Sequence, residues 1–322
     1  MQNYYLSIIN EIRGDYMFKY IIKRLGISLA TILVLITVVF ILVRLMPGDP
    51  FTSDKMTPEI KANIEKYYGF DKPLIIQYFT YLKNIARGDF GYSIKYVNQS
   101  VNKIIFDSFP YSFDLGVRAL SISISLGLVF GIIAALYRGK ALDYGCVIIA
   151  IIGTSVPDFI IGALLQYFFG IKWGLLPVAQ YQGIKYTILP SIALGFYTLA
   201  MVSRIMRASM LEVVQQDYIK TAKSKGISKF RITYKHQVRN AIMPVVTVLG
   251  PTVAAVLTGT FVIESIYAIP GMGKYYVQSV QNLDYSLVLG MTVFYGVFLV
   301  LANMIVDILY GIIDPRIRIA GK

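Results

Sequence analysis

Long apolar stretches are the feature that most limits what this 322-residue chain can fold into. Six of them occur, at about 21–45, 113–137, 144–169, 187–205, 244–266 and 288–310. A helix needs about 20 mostly apolar residues to cross a bilayer, and each stretch is close to that length or longer. Because 56% of the residues are hydrophobic and only 15% are charged, a soluble globular domain is excluded. The sequence predicts an all-α integral membrane protein with six transmembrane helices.

Charge gives these helices an orientation. Lys19, Lys23 and Arg24 stand at the front of the first stretch, and the segment at about 204–244 is strongly basic. Lys and Arg collect on the cytoplasmic side of membrane proteins. We therefore expect the N- and C-termini and this basic loop to be cytoplasmic, and the polar region at about 46–113 to be external.

The remaining organisation is simple. Residues 1–16 are predicted to be an N-terminal extension, and residues 17–322 a single domain. The net charge of +13 suits either nucleic acid or an anionic membrane surface. Since the basic residues cluster beside the apolar stretches, the membrane is expected as the partner and nucleic acid is not.

Enzyme signatures are absent from the sequence. It contains no Gly-x-x-x-x-Gly-Lys-Ser/Thr phosphate loop, no His-Glu-x-x-His zinc helix and no Gly-x-Ser-x-Gly elbow. Its single cysteine, Cys146, cannot form an internal disulfide, and its single histidine, His236, belongs to no cluster with metal-ligand spacing. We therefore predict no catalytic residue, no metal site and no cofactor in this chain.

Two features inside the apolar stretches indicate more than simple spanning helices. Pro157 lies within the third stretch and predicts a kink or break there, and Asp158 follows it directly. An ionisable residue at this depth is either functional or solvated by a nearby cavity, and the sequence leaves both open. Glu264 stands near the outer end of the fifth stretch.

Small side chains recur every four residues in two of the stretches. A four-residue spacing places them on one helix face, where they permit close approach of another helix. The two stripes are Ser123, Gly127, Gly131 and Ala135 in the second stretch, and Gly250, Ala254 and Thr258 in the fifth.

The basic loop has its own internal pattern. A helix-forming run is predicted to end at Gly226, which suits a left-handed cap position because it lacks Cβ, and Ser228 is positioned to cap a second short helix. Ala222 and Gly226 lie four apart on one face, with Thr221 beside them. Such a face allows another protein to approach closely; a merely solvated basic loop is the alternative.

Thr221-Ala222, three residues and then Gly226 resemble the end of the "EAA" loop of ABC-transporter membrane subunits. Lys220 and Thr221 stand where that loop has glutamate and its first alanine, and the interval from Gly226 to Pro244 is longer than in the general motif. Both departures resemble the peptide-type permeases. Further motifs follow the order seen in B-type permeases of peptide/nickel-family importers from residue 17 onward. These are Asp217-Tyr218, Glu264, Pro270-Gly271-Met272-Gly273, Asp284-Tyr285 and Asp314-Pro315-Arg316.

The resemblance implies an ABC importer type I permease fold and a set of site residues. The ATPase-coupling loop would comprise Asp217, Tyr218, Lys220, Thr221, Ala222, Lys223 and Gly226. Pro157, Asp158 and Glu264 would belong to the translocation path.

It also implies partners and a location. The chain would be a multi-pass protein of the bacterial inner or plasma membrane that imports peptides with ATP bound by partner subunits. Those partners would be a second homologous permease chain, two ATPase subunits and an extracytoplasmic substrate-binding protein. Nickel chelates or glutathione are the alternative cargoes within the family. Outside it, the alternative is a stand-alone gradient-driven secondary transporter or channel.

Overall fold

The part of the chain that the structure describes is mostly helical. This computed structural model describes residues 2–45, 71–96, 99–257 and 261–313, and the single positions 58, 62, 65, 67 and 69. Within these ranges the only pairing outside helices and turns is one isolated bridge, between Tyr92 and Ser100. The predicted all-α class is confirmed. Thr258 and the Asp314-Pro315-Arg316 motif lie outside the described residues.

Thirteen α-helices are described, two of which continue directly into π-helical turns. They are α1 (Gln2–Leu45), α2 (Leu74–Ala86), α3 (Val101–Leu136), α4 (Ala141–Ser155), α5 (Asp158–Leu165), α6 (Ile184–Val214), α7 (Asp217–Ser224), α8 (Lys229–Arg231), α9 (Arg239–Ala241), α10 (Met243–Leu257), α11 (Phe261–Ile266), α12 (Met272–Gln281) and α13 (Tyr285–Ile313). The π-helical turns are Gln166–Lys172 after α5 and Ile232–Val238 after α8.

The structure confirms that the chain has several helices able to span a membrane, and some of their bounds differ from the predicted ones. Four helical segments are long and apolar enough to cross a membrane, at 20–42, 101–136, 184–214 and 285–306, and two bent helix pairs raise the number to as many as six. The helix of the second stretch, α3, begins at Val101 rather than near residue 113. Its 36 residues give a length of about 54 Å, well beyond the ~30 Å hydrocarbon core, so its first turns can stand outside the bilayer.

The predicted end of the fourth stretch also differs from the observed one. The helix of the fourth stretch, α6, does not end near residue 205 but continues to Val214, because no Gly or Pro interrupts it there. The described helices of the fifth stretch, α10 (Met243–Leu257) and α11 (Phe261–Ile266), begin and end close to the predicted bounds of 244–266, and residues 258–260 lie outside the described part of the chain.

Contacts divide the chain into two compact units, 1–107 with 275–322, and 108–274. In the first unit, α1, α2 and α13 pack around a core that includes Phe40, Tyr81 and Val293. Between helices that lie in a bilayer, van der Waals packing of such side chains, rather than their removal from water, is the main stabilising term.

A buried carboxylate fixes the polar region of this first unit to the start of α13. Asp284 is fully buried and accepts hydrogen bonds from the Ser93 hydroxyl and from the backbone N–H groups of Ile94 (3.1 Å) and Lys95 (3.2 Å). It also accepts one from the Leu287 N–H (3.1 Å), the third position of α13, and so serves as that helix's N-cap. Each of these buried, charge-assisted hydrogen bonds offsets part of the free-energy cost of removing the carboxylate from water.

In the second unit, glycines bring α6 into backbone contact with α3. A Cβ on Gly131 would lie 2.6 Å from Met206 Cβ and 2.7 Å from the Ser203 carbonyl oxygen. One on Gly127 would lie 2.8 Å from the Leu199 carbonyl oxygen. The predicted stripe of the second stretch therefore packs within this chain. In the fifth stretch, Gly250 and Ala254 are buried as well.

We predict that Gly131→Ala destabilises the protein, because the added methyl group has to displace the backbone of α6. Overpacking of this kind costs about 1–3 kcal/mol. The measurement is the apparent melting temperature of the purified protein in detergent.

The matched control is Gly145→Ala in α4, where a Cβ would meet nothing within 4 Å. It should leave the melting temperature unchanged or raise it slightly, since Ala is the better helix former. Equal behaviour of the two variants would show that the α3–α6 contact is not tight.

Candidate functional site

The basic loop contains an isolated two-turn helix with a defined C-terminal cap. Helix α7 ends at Ser224, and Gly226 has a φ of +69°. The Gly226 N–H donates to the Lys223 carbonyl (3.0 Å), and the Ile227 N–H donates to the Ala222 carbonyl (3.3 Å). These two bonds form a Schellman motif, which needs a left-handed residue at the position of Gly226. The predicted role of Gly226 in ending this helix is confirmed.

The inner face of α7 packs against the segment that follows it. Ile219 is fully buried and Ala222 is 6% exposed, and both lie in a small cluster with Ile232 and the partly buried Ile227. The small-residue face is therefore not accessible as a whole. Thr221 and Gly226 are exposed, whereas Ala222 faces inward, where it packs in the cluster with Ile232 and Ile227.

The outer face of α7 is polar and exposed. Asp217, in the first turn, forms an ion pair with Lys220, with 2.8 Å between Asp217 Oδ1 and Lys220 Nζ. Both side chains lie largely in solvent. Such a pair contributes little to stability, so these side chains remain available to a partner. The exposed residues of the predicted coupling set are Asp217, Tyr218, Lys220, Thr221, Lys223 and Gly226.

Of two polar side chains in the loop, Tyr218 forms a hydrogen bond that links α7 to a later helix, whereas Ser228 forms no capping bond. The Tyr218 hydroxyl accepts a hydrogen bond from Asn240 Nδ2 (3.0 Å), which links α7 to α9. Ser228 occupies the cap position before α8 as predicted, but its side chain makes no capping hydrogen bond.

Two exposed aromatic side chains in the same loop were missed by the sequence reasoning. Phe230 is 82% exposed and Tyr234 is 71% exposed. They are four residues apart, in α8 and the π-helical turn after it. A signal was present, because two aromatic residues at helical spacing in an otherwise charged segment indicate a contact surface.

The break predicted at Pro157 is confirmed. Helix α4 ends at Ser155, Val156 and Pro157 are extended, and α5 leaves at an angle of 115° to α4. Proline has no N–H to continue the α4 ladder, and Asp158 lies in the first turn of α5. A second, milder bend of 50° separates 229–241 from α10.

The break opens a groove of about 680 Å³. Pro157 and Asp158 line it on one side, and residues of α6 and α10 line it on the other. The residues facing it across from the break include Tyr197, Thr198, Thr252 and Ala255. Pro157 and Asp158, which are consecutive in the sequence and two of the three residues predicted for the translocation path, thus both line this groove.

Glu264, the third of these residues, lies elsewhere and is fully buried. Its carboxylate accepts hydrogen bonds from the Ser112 hydroxyl (2.7 Å) and the Gly273 N–H (2.9 Å), and the Ser112 oxygen accepts one from the Met272 N–H (2.9 Å). A Cβ on Gly271 would lie 2.4 Å from Glu264 Oε2. The Pro270-Gly271-Met272-Gly273 glycines are thus needed for close approach to this carboxylate, and Glu264 does not line the groove.

A second pocket of about 430 Å³ adjoins the first. It is lined by Val147, Ile151, Thr154, Ser155, Arg204 and Arg207, and it shares Thr154 and Ser155 with the groove. Arg207 donates to both carboxylate oxygens of the buried Asp143, at 2.7 and 2.9 Å. The described residues contain no group of three or more His, Cys, Asp or Glu side chains that could hold a metal ion.

Comparison with known proteins agrees with this arrangement. Residues 127–319 match the family described as binding-protein-dependent transport system inner membrane component, and residues 17–116 match the N-terminal region of the same kind of membrane component. The chain is 48% identical over 307 residues to the dipeptide transport system permease protein DppB of Bacillus subtilis, covering 95% of this chain and all of that protein.

Other relatives and one solved structure agree. The oligopeptide permease proteins OppB of Haemophilus influenzae and Escherichia coli K12 are 46% and 42% identical over 305 residues, each covering 94% of this chain and all of the relative. The crystal structure of an amino acid ABC transporter with histidines has a TM-score of 0.51 at 16% identity, covering 64% of this chain and 92% of that one. That likeness supports the permease fold. The chain therefore belongs to the family of binding-protein-dependent transport system inner membrane components, and it is an integral inner-membrane permease.

Proposed function

We propose that this chain is the permease subunit of an ATP-driven importer of peptides and forms half of its translocation path. The observation that carries the proposal is the exposed helix α7, closed by the Gly226 Schellman turn, in a chain closely related to dipeptide and oligopeptide permeases. A short, rigid, exposed helix on a membrane protein is suited to transmit force from a soluble partner. Peptides are proposed as the cargo, in preference to nickel chelates or glutathione, because the relatives are dipeptide and oligopeptide permeases.

ATP acts through other subunits in this proposal. Two ATPase subunits bind and hydrolyse ATP, and one of them contacts the outer face of α7 through Lys220, Thr221 and Lys223. A second homologous permease chain completes the path, and an extracytoplasmic binding protein delivers the cargo. Family membership favours this arrangement over a gradient-driven transporter.

The topology that we propose has six spans with both termini in the cytoplasm. It places the loop at 204–244 in the cytoplasm and the region at 46–113 outside, because the basic residues collect in the former.

Cysteine labelling tests the topology. In a Cys146→Ser background, Lys72→Cys and Ser228→Cys both place a thiol at an exposed position. We expect an impermeant thiol reagent to label position 72 in intact cells, and position 228 only after the membrane is opened. Labelling of position 228 but not of position 72 in intact cells would show that the true orientation is the opposite of the proposed one.

Replacing Gly226 tests the coupling role. Gly226→Val should strain the left-handed position by about 1–2 kcal/mol and open the Schellman turn. We expect the variant to insert into the membrane normally, while cargo no longer stimulates ATP hydrolysis by the reconstituted complex and uptake fails.

Two controls separate coupling from folding. Gly226→Asn should retain most activity, because Asn tolerates the left-handed region. Gly174→Val introduces the same kind of strain at another exposed glycine, with φ +61° and nothing within 4 Å of a Cβ, and should leave coupling intact. Normal uptake by Gly226→Val would remove α7 as the coupling element.

A further inference from the structure

The groove and the adjoining pocket lie side by side and together form one surface with opposite charges at its two ends. Thr154 and Ser155 line both cavities. Asp158 is the only charged residue that lines the groove, and Arg204 and Arg207 are the only charged residues that line the pocket, as far as the described residues go.

The negative end is well defined. Asp158 is partly exposed, and its Oδ1 accepts a hydrogen bond from the Phe159 N–H (2.8 Å) at the start of α5. Within the described part of the chain it forms no ion pair, so its charge remains to be compensated. An ionisable residue in a spanning segment that faces a cavity is commonly part of a ligand or ion path.

At the positive end, one of the two arginines is already neutralised. Arg207 makes a two-point ion pair with Asp143, which also accepts a hydrogen bond from the Gly139 N–H (2.9 Å). Arg204 is exposed and reaches only the Thr154 hydroxyl, at 3.4 Å, among the described residues. The net positive charge of the pocket therefore belongs to Arg204.

Between these ends the lining suits many side chains. Leu194, Pro251, Ala255 and Val256 are apolar, and Tyr197 adds a half-exposed ring. Binding pockets of this mixed type, with a few placed polar groups, hold small ligands within about 300–1,000 Å³. A surface with few polar groups in its middle fixes the ends of a ligand without selecting its side chains.

We propose that this surface binds a short peptide by its two termini, with Asp158 contacting the N-terminal ammonium group and Arg204 the C-terminal carboxylate. Charge complementarity carries the assignment, because a free peptide is the zwitterion that matches one carboxylate and one guanidinium. Guanidinium and carboxylate form strong two-point hydrogen bonds, and the Thr154 hydroxyl lies beside Arg204 to extend that contact. The inference rests on the proposed function and adds the chemical feature of the cargo that the permease recognises.

Protection of a cysteine in the shared lining tests the proposal. Ser155→Cys in a Cys146→Ser background is assembled with the partner permease and ATPase subunits in lipid nanodiscs, without binding protein. Its labelling by a small thiol reagent is followed at increasing concentrations of tri-alanine, N-acetyl-tri-alanine and tri-alanine amide, with and without ATP. Tri-alanine should protect the thiol, and each blocked peptide should need about 10-fold more for the same protection, since a charge-assisted contact is lost.

Variants assign each terminus to its residue. Asp158→Asn should weaken protection by tri-alanine about 10-fold and leave protection by the N-acetyl peptide unchanged. Arg204→Gln should do the same with respect to the amide. Glu212→Gln and Lys172→Gln, which change exposed charges outside both cavities, should have no effect.

Three outcomes would overturn the inference: no protection in any nucleotide state, equal protection by free and blocked peptides, or variants that weaken all three peptides alike. Cargo-stimulated ATP hydrolysis, measured on the same preparations with binding protein added, separates this inference from the proposed function. If hydrolysis is stimulated while protection is absent, only the recognition of termini is wrong. If the complex shows no stimulated hydrolysis, the proposed function itself fails.

Discussion

The close approach of α6 to its neighbours is the constraint on which the rest of the second unit depends. Gly127 and Gly131 of α3 and Gly153 of α4 meet the α6 backbone or its Cβ atoms where any side chain would collide. Helix α6 also lines the groove at Leu194, Tyr197 and Thr198 and the pocket at Arg204 and Arg207. Contacts this tight make α6 a stiff element, because well-packed helices move as rigid bodies rather than deform.

That stiffness gives the proposed coupling a physical route. Helix α6 ends at Val214, and α7 begins three residues later at Asp217, so a displacement of α7 acts directly on the end of α6. The buried cluster of Ile219, Ala222 and Ile232 prevents α7 from moving independently of the segment that follows it. Movement of α7 by an ATPase would therefore shift the α6 wall of the groove against the α4–α5 break.

Features with a local cause could be predicted from the sequence, and those that depend on distant partners could not. The break at Pro157 and the cap at Gly226 follow from one residue's backbone chemistry, and both are confirmed. The inward face of Ala222 depends on Ile232, which lies ten residues away, and the burial of Glu264 depends on Ser112 in another helix. The ion pair that leaves Arg204 as the net cation of its pocket likewise requires knowing that Asp143 faces Arg207. Periodicity and composition contain none of these pairings.

Accessibility of the groove measures most directly whether α7 controls it. Thr252, in the groove wall formed by α10, can be replaced by Cys in a Cys146→Ser background and its labelling rate followed in the reconstituted complex. We predict different rates in the nucleotide-free and vanadate-trapped states, and no difference between those states when Gly226→Val is added. Equal rates in both states of the complex with Gly226 intact, or a nucleotide response that persists with Gly226→Val, would show that α7 does not control the groove.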